Sequence, residues 1–598
     1  MLYPQRNKTR EIIELDGIWN FKLDDGQENR LYENPLTDTM MMPVPASYND
    51  IYDDPKIHHH IGGAWYERSV YLPESWSDKR IVLRFGAVTH HAKVWINGQL
   101  ALEHSGGYTP FEADVSNFLD KDYNNRITVW VDNRLDFTSV PMGKMFQVTE
   151  DIKWLKYYFD FYNYAGINRP VVMYCTDQLF IEDVNITTEV EKNNGYVDYV
   201  IDTKASDVRL LVKDMEGKLV AKGSGLKGRL SIENVKLWQP LNAYLYTCVV
   251  EVYHEEQLID AYEESFGVRS VEVLNDQFLI NGKPFYFKGF GKHEDSDIVG
   301  RGYNEALNIR DFSLLKWIGA NSFRTSHYPY AEEILKMADR EGIVVIGESP
   351  AVGLNMNLFQ TKDETFDYIN LKPIKYPSVW EVAECQDNHI KVMEEMIKRD
   401  KNHPSIVMWC VANEPASDDK GAYEYFKPIV NFTRSLDPSR PITIVEYNGA
   451  LPMTSEVTKL VDVVCLNRYY GWYLATGKLD LAEILLSKEL DGWYQMHKKP
   501  IIITEYGVDT LHGNTDTIAK LWTEEFQEAY LNLYHKVFDS KKFLIGEHVW
   551  NFADFATAEG ITRVDGNKKG IFTRNRKPKK AAYLLKDRWH KIDSFYYK

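Results

Sequence analysis

The sequence predicts a multidomain β plus α/β protein in which a jelly-roll-like β-sandwich and an immunoglobulin-like β-sandwich precede an eight-stranded (β/α)8 TIM barrel. Three observations predict this fold class. Short runs of alternating polar and apolar residues fill the first part of the chain, strands that alternate with helices of 3.6-residue periodicity follow, and eight apolar runs have the length of strands. A chain of 598 residues is long enough for several domains.

Residues 1–180 are predicted to form the first sandwich and residues 181–271 the second. In the first block, residues 64–72 and 81–85 alternate in the way of antiparallel strands, and Asn97-Gly98 is a turn signal. In the second block polar and apolar residues continue to alternate, and the block has about the length of an immunoglobulin-like domain.

Residues 272–598 are predicted to form the barrel. Leu307, Leu314, Leu315 and Ile318 fall on one helical face just before an apolar strand, as a barrel helix requires. The eight strand candidates are residues 285–290, 320–324, 343–347, 406–412, 442–446, 463–467, 501–505 and 543–550. Residues 354–387 lack clear periodicity, and we expect a long loop there that overhangs the barrel mouth as a lid or specificity loop.

Composition excludes several classes of partner. A formal net charge of −17 argues against nucleic acid or an anionic membrane as a partner, because both attract basic surfaces. The chain has no apolar run of signal-peptide or membrane-spanning length, so we expect a cytoplasmic protein. Five scattered cysteines without a CxxC pair indicate neither a disulfide framework nor a zinc site, and Cys410 and Cys465 are predicted core residues.

Two of the apolar runs end on glutamate. Residues 407–413 lead into Glu414, and residues 501–504 lead into Glu505. These would be the fourth and seventh barrel strands, whose carboxyl ends face the substrate in such barrels. Retaining hydrolysis of a glycosidic bond needs two carboxyl groups about 5 Å apart. Strand-end position alone does not select this pair, because Glu348, Glu446 and Glu547 also end predicted strands.

Local motifs select the pair through a resemblance. Asn413-Glu414-Pro415 and Thr504-Glu505-Tyr506-Gly507 resemble the acid/base and nucleophile motifs of glycoside hydrolase family 2. The resemblance covers essentially the whole chain, because the order of sugar-binding-like sandwich, immunoglobulin-like sandwich and barrel is that of the family. It implies that Glu414 is the acid/base, that Glu505 is the nucleophile, and that the protein is a homo-oligomer, commonly a tetramer. The supporting strings are residues 163–167, 287–290, 324–329 and 400–405.

The segment after the eighth strand points to the substrate. Asn567 and Lys569 are similar to the Asn-x-Lys pattern with which β-glucuronidases of this family hold the C6 carboxylate, and Arg563 lies where those enzymes carry an arginine. We call Arg563, Asn567 and Lys569 the cationic cluster. The alternative is a solvated basic loop, because several lysines and arginines follow closely. A local cationic cluster would let a net-acidic protein bind small-molecule glucuronide conjugates.

Seven further positions match substrate contacts of the glucuronidases. Asp160 and His327 would accept or share hydrogen bonds with sugar hydroxyls, and Asn413 would hold the 2-hydroxyl. Asn467, Tyr469 and Tyr473 would lie near the nucleophile and the rim, and Trp550 would supply a stacking floor. Each of the seven could instead be a packed core residue.

No metal ion or other cofactor is expected. Three consecutive side chains, His58, His59 and His60, cannot all face one ion in regular structure, and they lie in a predicted loop. The segment 293–295 is better placed, after the first barrel strand, but it is expected to orient neighbouring groups.

Three functions agree with these motifs to different extents. The leading one is a retaining β-glucuronidase that releases glucuronate and an aglycone. A β-galacturonidase or β-galactosidase of the same family would share the two glutamates. A non-catalytic carbohydrate-binding protein on the same scaffold would have no need of both.

Overall fold

The structure is a computed structural model that describes residues 1–26, 30–147, 153–359, 366–367, 372–373 and 377–595. Its first part is a sandwich of a four-stranded sheet, in the order β1-β14-β5-β9, and a six-stranded sheet, in the order β3-β2-β4-β10-β7-β8. The elements are β1 Glu11–Glu14, β2 Gly17–Leu23, β3 Met40–Val44, α1 Pro55–His58, β4 Gly63–Val70, β5 Arg80–Phe85, β6 Val88–Thr89, β7 His91–Ile96, β8 Gln99–Ser105, β9 Phe111–Asp114, β10 Asn125–Asp132, β11 Gly143–Gln147, β12 Lys153–Tyr157, β13 Gly166–Ile167 and β14 Val171–Thr176.

Alternation along these strands produces the sandwich. In β4, Ala64 and Tyr66 point into the core between the two sheets, where they pack with Val129 of β10. Trp65, between them in sequence, points to the opposite face of the sheet and belongs to a separate small cluster. A strand places successive side chains on opposite faces, so one face of each strand closes the core.

A second sandwich follows, with sheets in the order β15-β16-β19 and β18-β17-β20-β21. Its core is formed by alternating residues such as Val184, Leu210 and Val250. The strands are β15 Ile181–Glu191, β16 Asn194–Thr203, β17 Asp207–Lys213, β18 Leu219–Ser224, β19 Lys227–Ile232, β20 Tyr246–His254 and β21 Gln257–Phe266, and a small sheet of β22 Val271–Leu274, β23 Gln277–Ile280 and β24 Lys283–Pro284 leads into the barrel.

Eight parallel strands close the barrel, in the order β25-β26-β27-β30-β31-β32-β33-β34. The predicted fold class and the eight predicted strands are confirmed. The elements are β25 Phe287–Gly291, α2 Glu305–Ile318, β26 Ser322–Arg324, α3 Glu332–Glu341, β27 Val344–Glu348, β28 Phe366–Asp367, β29 Lys372–Pro373, α4 Val379–Val382, α5 Gln386–Asp400, β30 Ile406–Asn413, α6 Ala422–Leu436, β31 Ile442–Glu446, β32 Val464–Asn467, α7 Leu479–His497, β33 Ile501–Glu505, α8 Glu524–Asp539, β34 Leu544–Val549 and α9 Lys580–Trp589.

Burial explains why these strands could be found in the sequence. All eight residues of β30 and all five of β33 are buried, and a parallel strand covered on both sides is a continuous apolar run. Helix α2 has the predicted buried face, including Leu314, Leu315 and Ile318. It begins at Asn304, whose side chain accepts from the Leu307 amide, and it ends at Gly319, which has a φ of 84°.

The predicted lid follows β27. A 3-10 turn covers Met356–Phe359, the strands β28 and β29 form a short antiparallel pair, and α4 precedes α5. Most of residues 360–376 lie outside the described part of the chain, so the lid stays a prediction.

The prediction that Cys410 and Cys465 are core residues is confirmed. All five cysteines are free and buried, and Cys410 and Cys465 lie inside β30 and β32. Within the described ranges, no helix is both long and apolar enough to cross a bilayer.

Candidate active site

The two motif glutamates lie at the carboxyl ends of the fourth and seventh strands of the barrel. Glu505 is the last residue of β33, and Glu414 directly follows β30. The backbone of Glu414 has a φ of 52°, in the left-handed region that residues other than glycine adopt rarely and mostly at functional sites. Its amide donates to the carbonyl of Val445 at 2.8 Å, which holds the chain in this turn.

Glu505 is 4% exposed and is held by three side chains. The hydroxyl of Tyr469 donates to its Oε2 at 2.6 Å, and Arg324 forms an ion pair with its Oε1. The Nε2 atom of His327 lies 3.8 Å from Oε1. Contacts to both of its oxygens therefore fix the orientation of the Glu505 carboxylate.

Arg324 is a residue that the sequence reasoning did not select. It ends β26, is fully buried, and donates to Glu348 at 2.6 Å as well as to Glu505. Burial by itself would raise the pKa of Glu348, but Arg324 and the Nδ1 of His327, at 2.7 Å, outweigh burial and lower that pKa. Glu348 is thus the counter-ion of an arginine that positions Glu505.

Glu414 has different surroundings. The amide of Asn467 donates to its Oε1 at 3.0 Å, and the oxygen of the same amide accepts from Thr504. Burial and the negative charge of Glu505 raise the pKa of Glu414 to about 8. One carboxyl of the pair can therefore hold a proton at neutral pH beside a second carboxyl that has a guanidinium partner.

The other two glutamates that were predicted to end strands have structural partners. Glu446 ends β31 and accepts from Ser417, Ser455 and Thr458. Glu547 lies inside β34 rather than at its end, and it accepts from Arg588 and Trp589 at 2.8 Å and 2.6 Å. These partners are different side chains from Arg324, Tyr469 and Asn467, which bind the two glutamates that the motifs selected.

The cationic cluster is folded against the first sandwich. Arg563 binds Asp160 through two hydrogen bonds of 2.8 Å and 2.6 Å, and Asn567 donates to the same carboxylate at 3.0 Å. Asn567 is fully buried and Lys569 is 1% exposed, so these two residues are not part of a solvated surface loop. Lys568 between them pairs instead with Asp565, whose side chain is 96% exposed.

Asp509 is a second residue that sequence reasoning missed. It lies four residues after Glu505, is fully buried, forms an ion pair with Lys569, and lies 3.5 Å from Arg563. Burial opposes ionisation, but Lys569 and then Arg563 keep the pKa of Asp509 below its usual value. The sequence feature that could have identified Asp509 is its position, since it is a carboxylate four residues after the end of the seventh barrel strand.

Two tyrosines connect the cationic cluster to the glutamates. Tyr473 accepts from Lys569 at 2.8 Å and from Arg563 at 2.9 Å. The ring centroids of Tyr473 and Tyr469 are 5.1 Å apart, and Tyr469 binds Glu505. The Nζ atom of Lys569 is 5.9 Å from the Tyr469 ring. The cation and the carboxylate therefore lie at two ends of one tyrosine pair.

Aromatic and amide groups complete the wall. Trp550, which is 4% exposed, stacks on His327 at a centroid distance of 5.0 Å and an angle of 24°. Asn413 accepts from both Arg324 and Asn467 at 3.3 Å. All the predicted site residues thus contact another member of the set or one of the two missed residues, and Asn467 contacts the Glu414 carboxyl rather than that of Glu505.

The histidine segments have local partners. His58 lies 3.2 Å from Asp50, and His60 bonds the carbonyl of Gly63. His293 packs against His327 and Trp550. Among the residues that the structure describes, no group of three or more His, Cys, Asp or Glu side chains could hold a metal ion.

Comparison with known families agrees with this architecture. The chain matches the sugar binding domain of glycosyl hydrolases family 2 over residues 12–177, a second domain of glycosyl hydrolases family 2 over 176–269, and the family 2 TIM barrel domain over 271–594. The chain belongs to glycoside hydrolase family 2. It is therefore a glycosidase whose fold was identified correctly from sequence.

Three proteins named β-glucuronidase are similar to the chain over nearly its whole length. Over 606 residues, the chain is 48% identical to a β-glucuronidase of Paenibacillus borealis, covering 100% of this chain and 99% of the relative. The β-D-glucuronidase structure from Dictyoglomus thermophilum is 44% identical, with a TM-score of 0.93 and full coverage of both chains. The Ruminococcus gnavus β-glucuronidase in complex with D-glucuronic acid is 40% identical, with a TM-score of 0.92 and coverage of 98% and 99%.

Proposed function

We propose that this family 2 enzyme is a retaining β-glucuronidase that hydrolyses β-D-glucuronides to glucuronate and a free aglycone. The observation that carries the proposal is the buried cationic cluster, which a tyrosine pair joins to the carboxylate of Glu505. A sugar acid needs cationic and amide donors aimed at its carboxylate, and a neutral glycoside does not. The full-length β-glucuronidase relatives support the same substrate class.

The reaction would proceed by double displacement. Glu414 donates its proton to the glycosidic oxygen while Glu505 attacks C1, so the C1–O bond breaks, the aglycone leaves as an alcohol, and a glucuronyl ester forms on Glu505. Glu414, now a carboxylate, then takes a proton from water as the water oxygen attacks C1. The ester bond breaks, β-glucuronate leaves, and both carboxyls return to their initial states.

The electrostatics suit both steps. The negative charge of Glu505 is one of the two causes that raise the pKa of Glu414, the other being burial. Esterification removes that charge, so the pKa of Glu414 falls just when the residue must act as a base. Arg324 and Tyr469 contact opposite oxygens of Glu505 and would fix the attacking one toward C1.

The remaining site residues would bind the sugar. Asn413 would donate to the 2-hydroxyl through its amide nitrogen, because its oxygen already accepts from Arg324 and Asn467. His327 and Asp160 would contact the other hydroxyls, Trp550 would pack against the ring, and Asn467 would keep the proton-carrying carboxyl of Glu414 in place.

The pH profile follows from Glu414. Because a general acid must be protonated, we expect kcat/KM for an aryl glucuronide to decrease tenfold per pH unit above pH about 8, the pKa of Glu414. The profile of the Glu414→Gln variant, measured with an activated nitrophenyl leaving group that needs little protonation, should lack this limb. If Glu414→Gln kept the same decrease of kcat/KM at high pH, Glu414 could not be the general acid.

Charge balance in the cationic cluster leads to a second expectation. Asp160 and Asp509 neutralise Arg563 and Lys569 in the structure, so a bound glucuronate carboxylate must share cations that already have partners. Asp509→Asn should lower the stability by about 3–5 kcal/mol, because it leaves the buried charge of Lys569 without its carboxylate. D-Glucuronic acid supplies a new anion, and it should raise the Tm of this variant more than that of wild type.

Differential scanning fluorimetry with and without D-glucuronic acid measures both effects. The control is Asp565→Asn, since Asp565 is exposed and pairs with Lys568 at the surface. Equal ligand shifts in wild type and Asp509→Asn would show that Asp509 does not share Lys569 with the substrate.

A panel of nitrophenyl substrates tests the function itself. Hydrolysis of the β-glucuronide should exceed that of the β-galacturonide and the β-galactoside. Preference for the β-galactoside would contradict the proposal, because that sugar has no carboxylate for the cationic cluster. Preference for the β-galacturonide would keep the cluster's role and change the proposed selectivity at the 4-hydroxyl.

Three further predictions remain proposals. The domain boundaries are proposed at 1–180, 181–271 and 272–598, and the ranges of the three family models support them. A homo-oligomer, a tetramer by analogy with the family, can be tested by sedimentation velocity. A cytoplasmic location can be tested by fractionation.

A further inference from the structure

A cavity of about 800 Å³ lies where the second sandwich meets the barrel. Its lining includes residues 186–191 of β15 and residues 438–440, which come just before β31. The strands of a parallel barrel begin at one end and place their carboxyl ends, here with Glu414 and Glu505, at the other. The cavity therefore lies at the end of the barrel opposite to the active site, and we call it the junction cavity.

Cations exceed carboxylates in the lining of the junction cavity. Four of its side chains are basic and two are acidic, on a chain whose formal net charge is −17. These six are Arg229, Arg269, Lys401, Arg440, Glu189 and Glu191. Arg229 pairs with Asp198 and Glu189. Lys401 pairs with Asp183, and Glu191 is exposed to solvent, which screens its charge. The positive excess therefore rests on the two remaining arginines.

Those two arginines meet at one carbonyl group. Nη2 of Arg269 donates to the carbonyl oxygen of Ile406 at 2.6 Å, and Nε of Arg440 donates to the same oxygen at 2.8 Å. Each arginine is 7% exposed. Arg440 has a carboxylate partner, Asp437, at 2.6 Å. Arg269 forms no ion pair with any residue that the structure describes, and its Nε donates to the carbonyl of Pro404 at 2.6 Å. Two neighbouring, buried guanidinium groups thus have one carboxylate partner between them.

The charge of Arg269 is only partly compensated. Burial, and then the positive charge of Arg440, lower the pKa of Arg269 to about 9, although Asp437 and Asp339 act in the opposite direction. An arginine nevertheless stays protonated at neutral pH, so the buried charge persists. Carbonyl dipoles satisfy its N–H groups but supply no negative charge, and an anion in the cavity would supply it.

We propose that the junction cavity binds an oxyanion of the phosphate type, either free or as the phosphate group of a small molecule, with Arg269 and Arg440 as its principal ligands. A guanidinium presents parallel N–H donors that match the oxygens of a phosphate. The volume of the cavity leaves room for an organic group beside the phosphate. The bound anion would link Arg269, at the end of the second sandwich, to the segment before β31, and so stabilise the junction of the two domains.

Thermal unfolding at constant ionic strength, followed by differential scanning fluorimetry, tests the proposal. Millimolar inorganic phosphate should raise the Tm of the wild-type enzyme along a saturable curve, because a ligand that binds only the folded state stabilises it. Arg269→Gln should weaken the apparent affinity for phosphate about tenfold or more, the loss expected for a hydrogen bond to a charged group. General stabilisation by a phosphate salt would not saturate and would be equal in all variants.

The matched control is Arg209→Gln. Arg209 lies in the same sandwich and pairs with Asp207 and Glu256, and none of these three residues lines the junction cavity. Its loss should leave the phosphate curve unchanged. Glycerol 3-phosphate serves as the second ligand: tighter binding than that of inorganic phosphate would identify an organic phosphate as the occupant, and weaker binding would identify the free ion.

A crystal of the wild-type enzyme soaked in arsenate locates the site even if Arg269→Gln fails to fold. Arsenate is an analogue of phosphate, and anomalous scattering should place its arsenic atom in the junction cavity beside Arg269 and Arg440. An empty cavity at a concentration that saturates the Tm curve would overturn the proposal.

The cationic cluster of the active site is the competing location for the anion. Lys569→Ala should keep the wild-type phosphate curve if the junction cavity is the site. Loss of the rise in Tm in Lys569→Ala, or equal curves for wild type and a folded Arg269→Gln variant, would overturn the proposal. Because neither thermal unfolding nor crystallography requires turnover, these results are independent of the proposed reaction.

Discussion

Replacing Glu505 with alanine is expected to reduce the turnover of nitrophenyl glucuronide by about 10⁴-fold or more, the scale on which removal of an enzymatic nucleophile lowers kcat. Sodium azide should restore part of the activity, because the anion fits the space that the carboxylate leaves. Attack by azide would invert C1 once, so the product should be the α-glucuronyl azide. The rate assay and the configuration of the azide product by NMR measure the two effects.

The same reagent distinguishes the two glutamates. In Glu414→Ala, Glu505 still forms the ester and azide takes the place of water in the second step, so C1 is inverted twice and the β-glucuronyl azide results. The structural control is Glu446→Gln, since Glu446 ends a barrel strand but binds Ser417, Ser455 and Thr458. That variant should keep its kcat per folded molecule. If Glu414→Ala produced the α-glucuronyl azide, the roles of the two glutamates would have to be exchanged. If Glu505→Ala kept near-normal activity, Glu505 could not be the nucleophile.

Replacing Lys569 with alanine is expected to lower kcat/KM for the glucuronide by about 10²-fold or more while the fold survives. Lys569 is the buried cation of the cluster, and removal of one partner from a buried, hydrogen-bonded charge pair lowers the free energy of binding by about 2–5 kcal/mol. Steady-state kinetics measure the loss, and circular dichroism confirms the fold. The neighbouring Lys568→Ala is the matched control, because Lys568 pairs with exposed Asp565 and should lose little activity.

The unpaired Asp509 that Lys569→Ala leaves behind could itself repel the substrate, and a double variant separates the two causes. If the missing cation is responsible, Lys569→Ala combined with Asp509→Asn should stay as slow as Lys569→Ala. Recovery of wild-type kcat/KM in the double variant would assign the loss to Asp509 instead. A loss of only a few-fold in Lys569→Ala would show that Lys569 does not bind the sugar carboxylate.

Much of the fold could be predicted from local patterns. Several barrel strands were found because they are short apolar runs buried on both sides, and of these β30 and β33 lie where residues 406–412 and 501–505 predicted them. The helix before β26 was found because its buried residues recur with a period of 3.6. The sandwiches were found from alternation, which also distinguishes Tyr66 in the core from Trp65 on the outer face.

The sequence was sufficient to predict which strand-end glutamates form the catalytic pair, because the motifs around Glu414 and Glu505 are contiguous and resemble those of family 2. The difference between those carboxyls depends on the tertiary structure, because Arg324 comes from the end of β26 whereas Asn467 and Tyr469 come from the end of β32. The tertiary structure also revealed Asp509 beside Lys569, and the burial that raises the pKa of Glu414 to about 8. Local patterns record which side chains face a core, whereas ion pairs and desolvation depend on contacts between residues far apart in sequence.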